Sequence, residues 1–181
     1  MNIQLKQDIQ IQLGIAKQII DKQGRLMPVI DVTVDSTKPD GKQEHIIMML
    51  AFDFPKDISD YMGKRMMLAK AGLELLKKGY TPLSAIMTTE AWYIEQKTDK
   101  VTVMPSQSPD RKEAIIIIAQ DKDQTYTTSL VAEITRDIDN KITVTKERWA
   151  DDTGIPQENI LSYLFEPNLI KTLMSNKKPT N

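Results

Sequence analysis

From Gln4 to Lys22 the apolar residues Leu5, Ile9, Leu13, Ala16 and Ile20 recur at steps of four, four, three and four, with Ile11, Ile15 and Ile19 widening the stripe. That spacing keeps one face of a 3.6-residue period apolar and predicts an amphipathic helix. Lys22 and Gly24 supply a basic last turn and a residue that can take the left-handed cap. The period then falls to two: Ile30, Val32 and Val34 alternate with Asp31, Thr33 and Asp35, predicting a strand over Leu26 to Val34 with one buried face. After the turn chemistry of Lys38-Pro39-Asp40-Gly41, the unbroken apolar run Ile46 to Phe52 predicts a strand covered on both faces, paired with the first as a hairpin.

Ile58 to Lys78 predicts a second helix whose inward stripe is Ile58, Met62, Met66, Ala69, Leu73 and Leu76, capped by Asp57 and closed by Lys77-Lys78-Gly79. Leu83 to Glu95 reads as a long strand. Ile86, Thr88, Glu90, Trp92 and Ile94 share one of its faces, and Ala85, Met87, Thr89, Ala91 and Tyr93 the other. Lys97 to Lys100 turns it into a short strand, Val101 to Met104, and Pro105 to Lys112 is a loop. Ala114 to Ala119, with four consecutive Ile residues, suits the centre of a sheet; Thr125 to Thr135 and Ile142 to Trp149 follow across turns at Asp121 to Gln124 and Asp139-Asn140. Pro156 opens a last helix with Ile160, Leu161 and Leu164 inward, interrupted at Pro167 and continued by Leu169, Ile170 and Leu173. The order α-β-β-α-β-(β)-β-β-β-α predicts an α+β fold, a mostly antiparallel sheet of about five to seven strands with helices packed on one face. It is expected to form a single domain over residues 1–175 with a frayed tail over 176–181.

Composition narrows the chemistry. With 24 Lys plus Arg against 25 Asp plus Glu, the 181-residue chain has a formal net charge of −1, no Cys and a single His, His45. Thiol, iron–sulfur and zinc chemistry lose their usual ligands, so no cofactor and no metal are expected. The longest apolar run, seven residues, is too short to span a membrane and the N-terminus has no basic start, so a cytoplasmic protein is expected, in agreement with the missing disulfides. Five of the cations are Arg and no basic stripe is present, which disfavours nucleic acid as a partner.

Most motifs fail on inspection. No two of the seven glycines lie closer than seven residues, so a phosphate-cradling loop cannot form. Asp121-x-Asp123-x-Thr125 opens like a calcium loop but has Tyr126 where the turn needs Gly and Ala132 where a bidentate Glu belongs. His45 is the sole candidate general base and lacks a nucleophile elbow, so a histidine at a strand rim is the better description. Met48, Met49, Met62, Met66 and Met67 look like core filler.

One constellation stands out. Glu90 lies mid-strand beside Trp92, and a carboxylate there must be paired, placed at a groove or held neutral. The segment Pro105 to Glu113 brings Ser106, Arg111 and Glu113 just ahead of the central strand. Arg111 could pair with Glu90 or Glu113 and staple the loop to the sheet. Alternatively Glu90, Trp92, Ser106, Arg111 and Glu113 could form a polar groove for an anionic or peptide ligand, or for carboxylate acid–base chemistry. Gly24-Arg25-Leu26-Met27-Pro28, Glu90-Ala91-Trp92 and Pro105-Ser106-x-x-Pro109-Asp110-Arg111-Lys112-Glu113 resemble the motifs of a loose family of small uncharacterised bacterial and phage proteins, over most of residues 5–135. The resemblance implies where a site lies and no activity. Three functions remain: a non-enzymatic interaction module, self-associating through an exposed sheet edge or helix face or binding another protein; a small-ligand binder or carboxylate-based enzyme at the Glu90/Arg111 groove; and a weak nucleic-acid binder.

Overall fold

The computed structural model describes residues 3–37, 41–51, 61–94, 108–123, 126–153, 160–166 and 168. In chain order the elements are α1 (Ile3–Gln23), β1 (Val29–Thr37), β2 (Gln43–Ala51), α2 (Tyr61–Lys77), β3 (Thr81–Tyr93), β4 (Lys112–Asp121), β5 (Tyr126–Arg136), β6 (Ile142–Thr153) and α3 (Ser162–Phe165). The strands form one open antiparallel sheet in the order β2-β1-β3-β4-β5-β6, so the fold is α+β as the periodicities predict. The chain resolves into two compact units. One is Met1–Val29, Met87–Ala119 and Thr128–Asp151; the other is Ile30–Ile86, Gln120–Thr127 and Asp152–Asn181.

In the first unit the predicted stripe of α1, Leu5, Ile9, Leu13, Ala16 and Ile20, is buried, as are Ile115 and Ile117 of β4 and Leu130, Ala132 and Ile134 of β5. Each large side chain withdrawn from water stabilises the fold by roughly 1.5–3 kcal/mol. Polar contacts fix how the helix lies: Gln10 donates to Glu147 at 3.1 Å, and the Ile142 amide donates to Asp21 at 2.9 Å. The helix stops at Gly24, whose φ of 76° is the left-handed cap expected there and whose N–H reaches the Ile20 carbonyl at 2.7 Å. At the β5–β6 hairpin, Asp137 accepts the amides of Asp139 and Lys141, both at 2.9 Å, while Asn140 takes a φ of 61°. This is turn chemistry in full.

In the second unit three expectations give way. The run Ile46 to Phe52 is not covered on both faces: β2 is an edge strand, and Ile47 and Met49 are 73% and 71% exposed. Ile46, Met48 and Leu50 on the opposite face are half-buried, so only that face of the strand is covered. The buried face of α2 is Leu68, Ala69, Gly72 and Leu75, while Met66, Leu73 and Leu76 point outward. The cause is Gly72. Its missing side chain admits the backbone of α3, and a Cβ built there would collide with the Leu164 carbonyl oxygen. Buried Leu161, Tyr163 and Leu164 complete that contact, and Gln120 and Ser162 share a buried hydrogen bond of 3.4 Å. Finally, Met49 and Met66 are exposed and Met48 and Met67 only half-buried, so these four are not core filler, while the Met62 side chain lies outside the described residues. The predicted strand Val101 to Met104, Ile58, Pro156, Leu169 to Leu173 and the tail lie outside the described residues.

Gly14 of α1 and Gly72 of α2 set opposite expectations. Gly14 is exposed with nothing within 4 Å of a built Cβ, so Gly14→Ala raises stability by about 0.5–1 kcal/mol through helix propensity alone. Gly72→Ala lowers it by about 1–3 kcal/mol, because the α3 backbone must retreat. Urea denaturation midpoints of the two variants check both signs.

Candidate functional site

β3, β4 and β5 deliver Glu90, Glu113 and Arg136 to one place within the first unit. Arg136 ends β5 two residues beyond Ile134, on the same side of the pleat as Leu130, Ala132 and Ile134. Its Nε and Nη2 donate to Glu113 at 2.9–3.0 Å, and Nη2 also reaches Glu90 Oε1 at 2.7 Å. Its Nη1 donates to the Gly24 carbonyl at 3.0 Å, and the Leu26 amide donates to the other Glu90 oxygen, also at 3.0 Å. One guanidinium therefore joins three strands to the end of α1. The side chains of Arg136 and Glu90 are each 19% exposed, so the bonds are shielded and strong.

Burial pushes the Glu90 carboxyl above the usual carboxylate range, and a hydrogen bond to Glu113 adds to that, outweighing the Leu26 amide and the Arg136 charge. Burial acts upward on Glu113 too. There the hydrogen bonds from Arg136 and then Glu90, with the Arg136 charge, win, and its carboxyl lies below the usual range. Arg136 holds its proton more firmly than a free guanidinium, chiefly through Glu113. The two carboxyls are thus shifted in opposite directions, Glu90 by burial and Glu113 by Arg136.

The expected staple is thus made by a different residue. Arg136, not the loop arginine, bridges Glu90 and Glu113, while Arg111 lies over the Trp92 ring at 4.4 Å from its centroid. Continuing the alternation Leu130, Ala132, Ile134 by one step would have found Arg136 from the sequence. Ser106 lies outside the described residues. Beside the cluster is a cleft of about 300 Å³ lined by Arg25, Leu26, Glu90, Ala91 and Trp92. Two of the motif segments singled out in the sequence, Gly24 to Pro28 and Glu90 to Trp92, meet there. The Trp92 ring is 49% exposed and polarised by the cation on it, and Arg25 stands at the cleft as an exposed guanidinium.

Alternation sends Tyr93 to the opposite side of β3, into a second polar cluster. The Tyr93 hydroxyl donates to Glu133 at 2.7 Å and accepts from Arg148 at 2.6 Å, and Lys112 reaches the same carboxylate at 3.3 Å. The hydrogen bond from Tyr93 leads in holding the Glu133 carboxyl below the usual range. His45, on β2 and mostly exposed, lies 2.9 Å from the buried Oδ1 of the half-buried Asp35 on β1, a cross-strand pair. Among the described residues, no three metal-ligating side chains gather, and no helix is long and apolar enough to cross a membrane.

Comparison of the chain with protein-family models, with curated proteins and with solved structures finds no match.

Removing the Arg136 guanidinium leaves two half-buried carboxylates facing each other, so Arg136→Met lowers unfolding free energy at neutral pH by about 2–4 kcal/mol. Arg111→Ala, at the exposed Trp92, costs about 1 kcal/mol or less; denaturation of the two variants separates the roles. Because the folded Glu90 carboxyl binds its proton more tightly than the unfolded one, its contribution falls as pH rises above the ordinary carboxylate value near ~4.3. The Glu113 contribution is lost in the other direction, as pH falls below that value. A stability–pH profile of Glu90→Gln therefore flattens on the alkaline side, and that of Glu113→Gln on the acid side.

Proposed function

We propose that the protein is a non-enzymatic interaction module that self-associates, working through surface shape and not through a reacting group. The observation that carries this is the placement of apolar side chains where they have water instead of a core: Ile47 and Met49 on β2 and Met66, Leu73 and Leu76 on α2. Exposed methionines adapt to varied partner surfaces, and exposed apolar clusters mark sites of association. The carboxylates argue the same way. Both oxygens of Glu90 already accept hydrogen bonds and Glu113 is spent on Arg136, so neither is placed as a ready base. The absent cysteines and short apolar runs support a cytoplasmic setting, and the motif resemblance supports a bacterial or phage origin.

A second reading, small-ligand binding, draws on the cleft, where the Arg25 guanidinium, the Trp92 ring and the Glu90 carboxylate converge. It takes an anionic or peptide ligand, with Arg25 meeting the negative group.

Light scattering across micromolar concentrations decides the first reading: the mean mass rises with concentration, and a strict monomer throughout removes it. Tryptophan fluorescence decides the second. Small carboxylates and acidic peptides quench the wild type and Trp149→Phe but not Trp92→Phe; no saturable change in any of the three rejects it.

A further inference from the structure

We propose that two copies of the chain associate by antiparallel pairing of β2 with β2 about a twofold axis near Ile47. This rests on the self-association reading and assigns it a surface and a partner.

The two margins of the sheet differ. β6 carries Lys146, Glu147 and Arg148 in succession, and such charges blunt an edge against unwanted pairing. β2, Gln-Glu-His-Ile-Ile-Met-Met-Leu-Ala, has no Lys, no Pro and no Gly, and among the described strands it neighbours β1 alone. Among the described strands none pairs with its outer edge, and Ile47 and Met49 on the strand are 73% and 71% exposed. What satisfies an edge of that kind is another strand, because only an extended backbone returns donors and acceptors at the same spacing.

A second copy of β2 fits best. The midpoint of Gln43–Ala51 is Ile47, so full overlap about a twofold sets Ile47 opposite Ile47, His45 opposite Met49 and Gln43 opposite Ala51 of the second copy. The one formally charged residue of the strand, Glu44, then meets Leu50 of the second copy, and no like charges oppose. Pairing is isologous, each edge being its own complement. Nine residues span ~30 Å, and their contact falls short of the ~1,600 Å² of a standard interface. The dimer is therefore concentration-dependent.

The cysteine-free chain makes the test clean. Ile47→Cys and, as control, Ile11→Cys on the exposed side of α1 are oxidised at matched concentration, and light scattering follows wild type and Ile47→Lys, with circular dichroism confirming that the variants fold. Directly opposed Cα atoms in an antiparallel pair lie ~4.5–5.5 Å apart, within disulfide reach. Expected are cross-linking at position 47 at least about tenfold faster than at position 11, and loss of the dimer in Ile47→Lys. Equal cross-linking rates with a dimer that survives Ile47→Lys overturn the β2 assignment and leave self-association standing through another surface. A wild type that stays monomeric overturns both.

Discussion

A single guanidinium organises one end of this sheet. Arg136 leaves β5 and meets a carboxylate from β3, a carboxylate from β4 and the last carbonyl of the α1 cap, so four segments far apart in the chain share one planar cation. Planarity matters: a forked donor meets several acceptors at fixed angles, whereas a lysine ammonium would meet them as a point charge. The glycine that ends α1 is part of the same arrangement, since its left-handed turn presents the carbonyl that Arg136 takes and leads straight to the Leu26 amide that Glu90 takes. Helix termination, strand register and charge neutralisation are thus solved together.

That arrangement also explains why a carboxylate pair with separated proton affinities need not mean catalysis. Divergent pKa values in adjacent acids often mark an acid and a base at work, but the same divergence arises wherever one cation is shared unequally by two buried carboxylates. Here Glu113 has the larger share of Arg136, and Glu90 is left with a backbone amide and a neighbouring anion. In geometry the cluster ties three strands to the end of α1, and the cleft lies beside it.

Much of the architecture was legible because it rests on local periodicity. α1 shows its buried stripe residue by residue, and Asp137 and Asn140 announce their turn. What depended on long-range order was not. The run Ile46 to Phe52 is apolar at both odd and even positions, a pattern shared by buried and edge strands, and only strand order separates them. Around α2 the helix is apolar over most of its circumference, so periodicity selects no single face; the deciding residue, Gly72, acts by lacking a side chain and leaves no hydrophobic signal. Glu90 and Glu113 meet at Arg136 and Arg111 lies over Trp92, but the charge that joins the acids, Arg136, sits just past the last apolar residue of its strand. Its parity placed it, and its polarity disguised it.

The unequal margins of the sheet bear on how far assembly can go. A sheet bare at both edges has two valences and can add copies without limit, which is the geometry of a fibril. With Lys146, Glu147 and Arg148 along β6 and only Glu44 formally charged along β2, the proposed pairing gives this sheet a valence of one. On the proposed pairing the bare edge is used up by a like edge and only the charged edge is left, so the strand that would join two copies would also keep their assembly finite.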